Sequence, residues 1–276
     1  MSILLSTHIV YGNGESRVRY KEQISKLPKG ITWSCNAAYR DMTTDNLVSV
    51  DYNMQQEIYQ SGYPMKNTCW FADWSLLPSE FNVEFMKEGF EESQIYETPY
   101  TDEQFLVVQG KRKEDVQIMF DQFMMENPDA DKCDVWKKVS GDIGLYITWV
   151  KPSEDKVSSI DFPRGWSAGN TAIHLACQQG AKEVYMVGFD SSSYNANINN
   201  VYKGSKNYLP ESSRGFNPVN WNNQLKTIFN EYRDVSFIWL KKEDLEYGTK
   251  YNDTFDGIFE SDSFSNLKYL TYENIR

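Results

Sequence analysis

The chain has 276 residues, 40% of them hydrophobic and 15% aromatic, which excludes a disordered segment and predicts a packed globule of one large domain. A net charge of −11 repels nucleic acid at long range, so it argues against a sequence-independent DNA binder unless a local basic patch exists. Candidate patches are Lys111-Arg112-Lys113, Lys137-Lys138 and the stretch from Lys203 to Arg214, each of which also reads as a solvated face. Four cysteines without CxxC spacing and two histidines, His8 and His174, give no zinc pattern, and Cys35, Cys69 and Cys177 sit in apolar or small-residue contexts expected to bury thiols. There is no charged-then-apolar leader and no run of about 18 apolar residues, so a soluble, cytoplasmic protein without membrane contact is expected.

The first half reads as strands alternating with helices. Thr7 to Tyr11 is a strand ending in Gly12-Asn13-Gly14-Glu15-Ser16, and Arg17 to Leu27 is a helix stopped before Pro28. Thr32 to Cys35 is a second strand, followed by Asn36, and Leu47 to Val50 a third, ending in Asp51-Tyr52-Asn53. Met54 to Gln60 is helical, and Thr68 to Phe71 is a fourth strand. This alternation predicts a doubly wound, Rossmann-like α/β fold with a mostly parallel sheet flanked by helices.

The middle, about 78–162, reads as an insertion. Phe105 to Val108 is a strand, and Glu114 to Asn127 a helix with Val116, Met119, Phe120 and Phe123 on its core face. Gly144 to Val150 and Val157 to Phe162 are expected to form a β-hairpin across Pro152-Ser153-Glu154-Asp155.

Ser167 to Asp190 then carries a complete helix–strand unit. Ser167 and Asn170 are candidate N-caps, Gly169 permits a close backbone approach, and Ala172, Ile173, Leu175, Ala176 and Cys177 form a broad apolar face. Gly180 stops the helix, and Val184 to Val187 is a buried strand with Asp190 just past its carboxyl end, where ligands bind in open α/β sheets. His174 lies inside the helix and reads as a packing residue. The stretch about 191–223 is polar and rich in Asn, Ser and Gly, and 195–223 reads as a mobile lid. Trp221 to Tyr232 is a helix, and Val235 to Leu240 a late strand.

Three strand ends thus deliver small and amide-bearing residues to one edge. Gly12 and Gly14 allow backbone N–H groups to face an anion, although the run is neither a Walker loop nor a complete GxGxxG pattern. Asn13, Asn36 and Asn53 can hydrogen-bond a nucleobase, ribose or phosphate without adding charge. Together with Asp190 they point to a nucleotide pocket; each Asn alone also reads as a turn former.

Gly12-Asn13-Gly14-Glu15-Ser16, Cys35-Asn36, Tyr52-Asn53 and the Ser167–Asp190 unit resemble the bacterial CMP-sialic acid-dependent sialyltransferases of the GT-A-like type. They are similar, too, to the wider group containing flagellin-glycosylation proteins and archaeal hydroxymethylpterin pyrophosphokinases. The likeness covers about half the chain and is strongest over Gly180 to Asp190. It implies nucleotide contacts by Asn13, Asn36 and Asn53 and by Ser167, Ala168, Gly169 and Asn170, beside the turn residues Gly12, Gly14, Glu15 and Ser16 that are candidates for the same pocket. Two features depart from it: 191–223 has no His where the sialyltransferases carry a catalytic one, and Arg164 is offset from their Arg before the Ser-Gly turn. Sialic acid is therefore a poor expectation for the donor sugar.

The expectation that follows is a nucleotide-sugar-dependent glycosyltransferase, with a UDP-sugar favoured, a CMP-sugar possible and Mg²⁺ optional. Asp190 would take the acceptor hydroxyl proton, with Asp51 second, while Arg164, Arg214 and Tyr194 would stabilise the departing phosphate. Richness in Tyr, Asn, Asp, Lys and Met resembles proteins of large tailed phages. That likeness implies glucosyl or arabinosyl transfer to 5-hydroxymethylcytosine in phage DNA, in the host cytoplasm. Other readings are a sialyltransferase-like enzyme acting on a glycan or protein, a Mg²⁺-dependent pyrophosphokinase, and a non-catalytic nucleotide-binding module.

Overall fold

The computed structural model describes residues 6–72, 76–78, 81–92, 95–97, 105–108, 113–141, 156–160, 167–190, 197–215, 219–241 and 264–275. In chain order the elements are β1 (Thr7–Tyr11), α1 (Ser16–Arg19), α2 (Lys21–Ile24), β2 (Ile31–Cys35), β3 (Asn46–Ser49), α3 (Tyr52–Gln60) and β4 (Thr68–Ala72). There follow β5 (Leu76–Pro78), α4 (Asn82–Lys87), β6 (Ile95–Glu97), β7 (Phe105–Val108), α5 (Lys113–Glu126), α6 (Lys132–Gly141) and β8 (Val157–Ile160). The chain closes with α7 (Ala168–Gln178), β9 (Glu183–Val187), α8 (Val219–Glu231), β10 (Ser236–Lys241) and β11 (Leu267–Thr271). They form two units, Met1–Val48 with Trp166–Arg276, and Ser49–Gly165.

In the first unit the strands lie in the order β11-β10-β9-β1-β2-β3, every neighbouring pair parallel. β1 sits between β2 and β9, with His8 level with Ile31 on one side and Val184 on the other. The sequence runs outward from β1 in one direction and from β9 in the other. The β1/β9 boundary is therefore where the winding reverses, the place at which open α/β sheets leave a crevice. Val10, Trp33, Val184 and Met186 are buried, as strands covered on both faces require. Helix α7 packs on β1, β2 and β9 through Ala172, Ile173 and Ala176, small enough for the helix to lie flat. A second cluster gathers Ile9, Ile24, Val187, Ile238, Leu240, Tyr272 and Ile275.

Arg17 to Leu27 is not one helix. It breaks at Tyr20, whose φ of −107° and ψ of 31° leave the helical region, giving the two four-residue helices α1 and α2. Tyr20 instead stacks on Tyr272 with ring centroids 4.5 Å apart. Gly180 ends α7 with a φ of +89°, as a C′ glycine does. The tail beyond Lys241 supplies β11, which pairs with β10 in parallel.

In the second unit β4 and β8 pair in parallel, Cys69 level with Val157. β8 was expected in a hairpin with 144–150, which lies outside the described residues. Among the described residues the partner of β8 is β4, in parallel. The buried amide of Gln55 donates to Ser49 O at 2.9 Å and Ala72 O at 2.8 Å, tying the ends of β3 and β4 to α3. β5, β7 and β6 form a small antiparallel sheet. α5 turns Val116, Phe120 and Phe123 toward Val135 and Val139 of α6, but Met119 is 39% exposed and is not core. Among the described residues no helix is long and apolar enough to cross a membrane.

Candidate functional site

A cavity of about 150 Å³ opens at the β1/β9 reversal, between the loops that follow the two strands. Gly12–Gly14 forms one wall and Gly188–Asp190 another. The loops are pressed together: Gly12 N donates to Val187 O at 2.7 Å and Gly14 N to Gly188 O at 2.9 Å. A Cβ on Gly12 would stand 2.6 Å from Gly188 O, and one on Gly14 would stand 2.6 Å from both Gly188 O and the Asp190 carboxylate. Gly188 itself takes a φ of +69°. The glycines are therefore required by loop-on-loop packing. Their two N–H groups are spent on Val187 O and Gly188 O and are not the anion cradle that the sequence suggested.

Asp190 lines this cavity. Its Oδ2 accepts from Ser16 N at 2.8 Å and its Oδ1 from Ser16 Oγ at 2.6 Å. Having spent its one proton on Asp190, the Ser16 hydroxyl accepts from the Tyr272 hydroxyl at 2.9 Å. That hydroxyl in turn accepts from Gly188 N at 3.0 Å. Burial, together with the Asp190 charge, pushes the Tyr272 phenol above its ordinary value, so it stays a donor. Ser16 is thus a fully buried link between the two loops, and Asp190 caps the start of α1 while facing the cavity.

Asn13 lies over the end of β2. Its Nδ2 donates to Cys35 O at 3.4 Å and to the Tyr208 hydroxyl at 3.3 Å, which fixes which way the amide points. Its Oδ1 is buried with no hydrogen-bond partner. Asn36 takes a φ of +51°, a left-handed conformation that Asn tolerates better than most side chains, and opens a short turn over Asn36–Arg40. Its Oδ1 is also buried and unpartnered, but Asn36 does not line the cavity.

The start of α7 forms a further wall. Ser167 Oγ accepts from Asn170 N at 3.2 Å, the expected N-cap. Ser167 N donates to Gln224 Oε1 at 3.0 Å, and Asn170 Nδ2 donates to Trp221 O and Gln224 Oε1, both at 3.0 Å. The Asn170 amide therefore joins α7 to α8 rather than standing free for a ligand. Ala168 is buried outside the cavity lining. Gly169 does line it; a Cβ there would meet the Phe189 ring at 3.2 Å.

The remaining wall comes from residues that sequence reasoning did not single out: Asn199, Asn200, Trp221, Asn222, Leu225 and Trp239. Asn222 is 2% exposed, and its Nδ2 is buried without a partner. The signal was present as Asn220-Trp221-Asn222-Asn223, three amides and an indole at a helix start. An amphipathic reading of α8 absorbs that run without explaining it.

The polar stretch after β9 is not a uniform lid. Its last residues, from Val219 onward, are the first turn of α8. Residues 197–215 are turns fastened to the β1 and β2 ends. Val201 N donates to Asn13 O at 2.8 Å, Glu15 N donates to Asn199 Oδ1 at 2.8 Å, and Glu15 pairs with Lys203. Arg40 donates to Ser205 Oγ at 2.8 Å and Lys206 O at 3.0 Å. Tyr202 inserts its hydroxyl between Arg17, 2.7 Å away, and Asp41. Burial first, then the Asp41 hydrogen bond, holds this phenol protonated well above its ordinary value. Arg17, 6% exposed and not foreseen as functional, anchors the fastening through Tyr202, Asp41 and Met42.

The other foreseen site residues are not among the described lining residues. Arg214 is exposed, bridges to Asn197 and does not line the cavity. Asp51 and Asn53 are exposed residues of the second unit, at the start of α3. Arg164 and Tyr194 lie outside the described residues. His174 packs its ring against Tyr232, whose hydroxyl is 3.1 Å from Nδ1. Among the described residues no three His, Cys, Asp or Glu side chains gather to hold a metal ion. Among the described residues the cavity lining has one carboxylate, Asp190, and each of its oxygens accepts one hydrogen bond from Ser16. The chain matches no protein-family model, no curated protein and no solved structure.

Proposed function

We propose that this chain is a nucleotide-sugar-dependent glycosyltransferase whose donor sits at the carboxyl ends of β1 and β9. One observation carries the reading: a cavity at the winding reversal of a parallel sheet is lined by Asn13 and Asn222, whose buried Oδ1 and Nδ2 have no partner within the protein. Buried polar groups are almost always satisfied, so such atoms are prepared for a ligand. Acceptor and donor amides beside Trp221, Phe189 and Trp239 suit a flat or hydroxylated ring. The likeness of Gly12 to Ser16 and of Ser167 to Asp190 to nucleotide-sugar enzymes supports the same ligand.

In this reading Asp190, the cavity's carboxylate, takes the acceptor hydroxyl proton as the glycosidic bond forms, and the nucleotide leaves with the electrons of the broken sugar–phosphate bond. We propose 5-hydroxymethylcytosine in DNA as the acceptor, on the compositional likeness alone. Thermal unfolding against UDP, CMP, GDP and ATP, with and without Mg²⁺, tests the donor class, because a ligand of the folded state raises the midpoint by mass action. One nucleotide family should raise it and its sugar conjugate should raise it further. No rise with any nucleotide at millimolar concentration contradicts the reading.

A further inference from the structure

We propose that the cavity at the β1/β9 reversal receives a neutral, hydroxyl-bearing sugar ring, either the ribose of the nucleotide or the sugar being transferred, and that the phosphates lie outside it. This rests on the glycosyltransferase reading for the identity of the whole ligand, but not for the chemistry of the cavity.

Charge argues first. Among the described residues the lining contains one carboxylate, Asp190, and no Lys or Arg. The backbone donors that would cradle an anion, Gly12 N and Gly14 N, already donate to Val187 O and Gly188 O. A phosphate placed here would face Asp190 and the unpartnered Asn13 Oδ1, both acceptors, with no cation among the described lining residues to offset them. A ring hydroxyl meets both walls equally well, because it donates and accepts at once. It can give a proton to Asn13 Oδ1 and accept from Asn222 Nδ2, satisfying the two orphaned amides. Tyr208 and Cys35 O hold the Asn13 amide with its oxygen free, so its acceptor face is set before any ligand arrives. Trp221, Phe189 and Trp239 supply flat apolar surface for the C–H face of a ring.

Size agrees. About 150 Å³ is below the roughly 300–1,000 Å³ of sites that enclose a drug-sized ligand, so the cavity takes one part of a nucleotide sugar and not the whole. Among the parts on offer, the phosphates are the ones its lining disfavours.

The test titrates the full chain with uridine, 2′,3′-dideoxyuridine, uracil, methyl glucoside and inorganic pyrophosphate. It compares wild type with Asn222→Leu and Asn222→Ala. Binding of uridine that falls at least fivefold without its two hydroxyls assigns the cavity to ribose; binding of methyl glucoside assigns it to the transferred sugar. Either ring should bind at least fivefold more weakly to both variants, while pyrophosphate does not displace it. The unliganded variants should unfold at or above the wild-type temperature, since they remove an amide that has no partner. A purely structural Asn222 would instead lower that temperature. The proposal is overturned if pyrophosphate competes with the ring. It is also overturned if uracil or dideoxyuridine binds as tightly as uridine with no sugar bound, or if no ring's affinity depends on Asn222. UDP-glucose turnover with an Asn222-insensitive site would sink this inference and leave the transferase standing. Asn222-dependent sugar binding without any nucleotide binding would do the reverse.

Discussion

At Gly14 a single missing Cβ decides whether two loops can meet. The atom would stand 2.6 Å from Gly188 O, which is backbone, and from the Asp190 carboxylate, which Ser16 N and Oγ hold in place. Gly14→Ala should therefore cost about 1–3 kcal/mol, as overpacking does, read as a lower urea midpoint. An unchanged midpoint would mean the loops separate freely. Asp190 is held just as firmly, by Ser16 N and Ser16 Oγ, so two roles compete at this residue. Asp190→Asn keeps the shape but loses the charge that both Ser16 donors point at. A general base predicts a rate loss of roughly 10²–10⁴-fold with donor binding intact. If turnover survives and only stability falls, Asp190 is a cap and the proton leaves by another route. The cysteines offer a simpler residue-level check. Cys177, buried on α7, has its thiol pushed up to about 12 by burial and by the nearby Glu231 charge, whereas Cys133 is exposed. Alkylation of the native protein should modify Cys133 and spare Cys177, and mass mapping of the adducts reads this directly.

Among the elements, those with a clear periodicity were legible in the sequence. β1, β2, β9, α7 and the Gly180 stop follow from apolar runs and caps, because local preference and global packing agree there. Arg17 to Leu27 looked like one helix, yet it breaks at Tyr20, which leaves the helix to stack on Tyr272, 252 positions further along the chain. No local pattern announces a partner that distant. The cavity was half legible for the same reason. Gly12 to Gly14 and Asp190 announce themselves as strand ends, whereas Trp221, Asn222 and Trp239 reach the same place only through the sheet order. The stretch 195–223 reads as a mobile lid because its composition is polar and lacks an apolar period. Within it, 197–215 makes hydrogen bonds to Asn13, Glu15, Arg17 and Arg40, which hydrophobicity does not encode. Tyr202→Phe removes the hydroxyl shared by Arg17 and Asp41 and should cost about 1–3 kcal/mol, with faster proteolysis inside 197–215 even without ligand. An unaltered cleavage pattern would place the anchor at Tyr208 or Lys203 instead.

Taken as a whole, the molecule carries a net charge of −11 and several buried acidic protons. Cys177 has an ordinary value of 9.0 and a folded value of about 12, and Tyr11, Tyr202 and Tyr272 are raised from 10.0. The unfolded chain gives up these protons first, so the stability they contribute is complete below pH 9.0 and is lost as pH rises toward about 12. Urea midpoints should fall steeply across that window, and a flat profile would mean these groups reach solvent in the folded state. Function at this scale rests on one claim, that the ligand-free molecule holds a prepared nucleotide-sugar pocket at its winding reversal. In that account Asn13 Oδ1 is the preset acceptor, so calorimetric titration of wild type and Asn13→Ala with the nucleotide sugar that most raises the unfolding temperature tests that claim most directly. The account predicts an affinity at least fivefold lower in the variant, about 1 kcal/mol for one hydrogen bond. Equal affinities in the two proteins would contradict it.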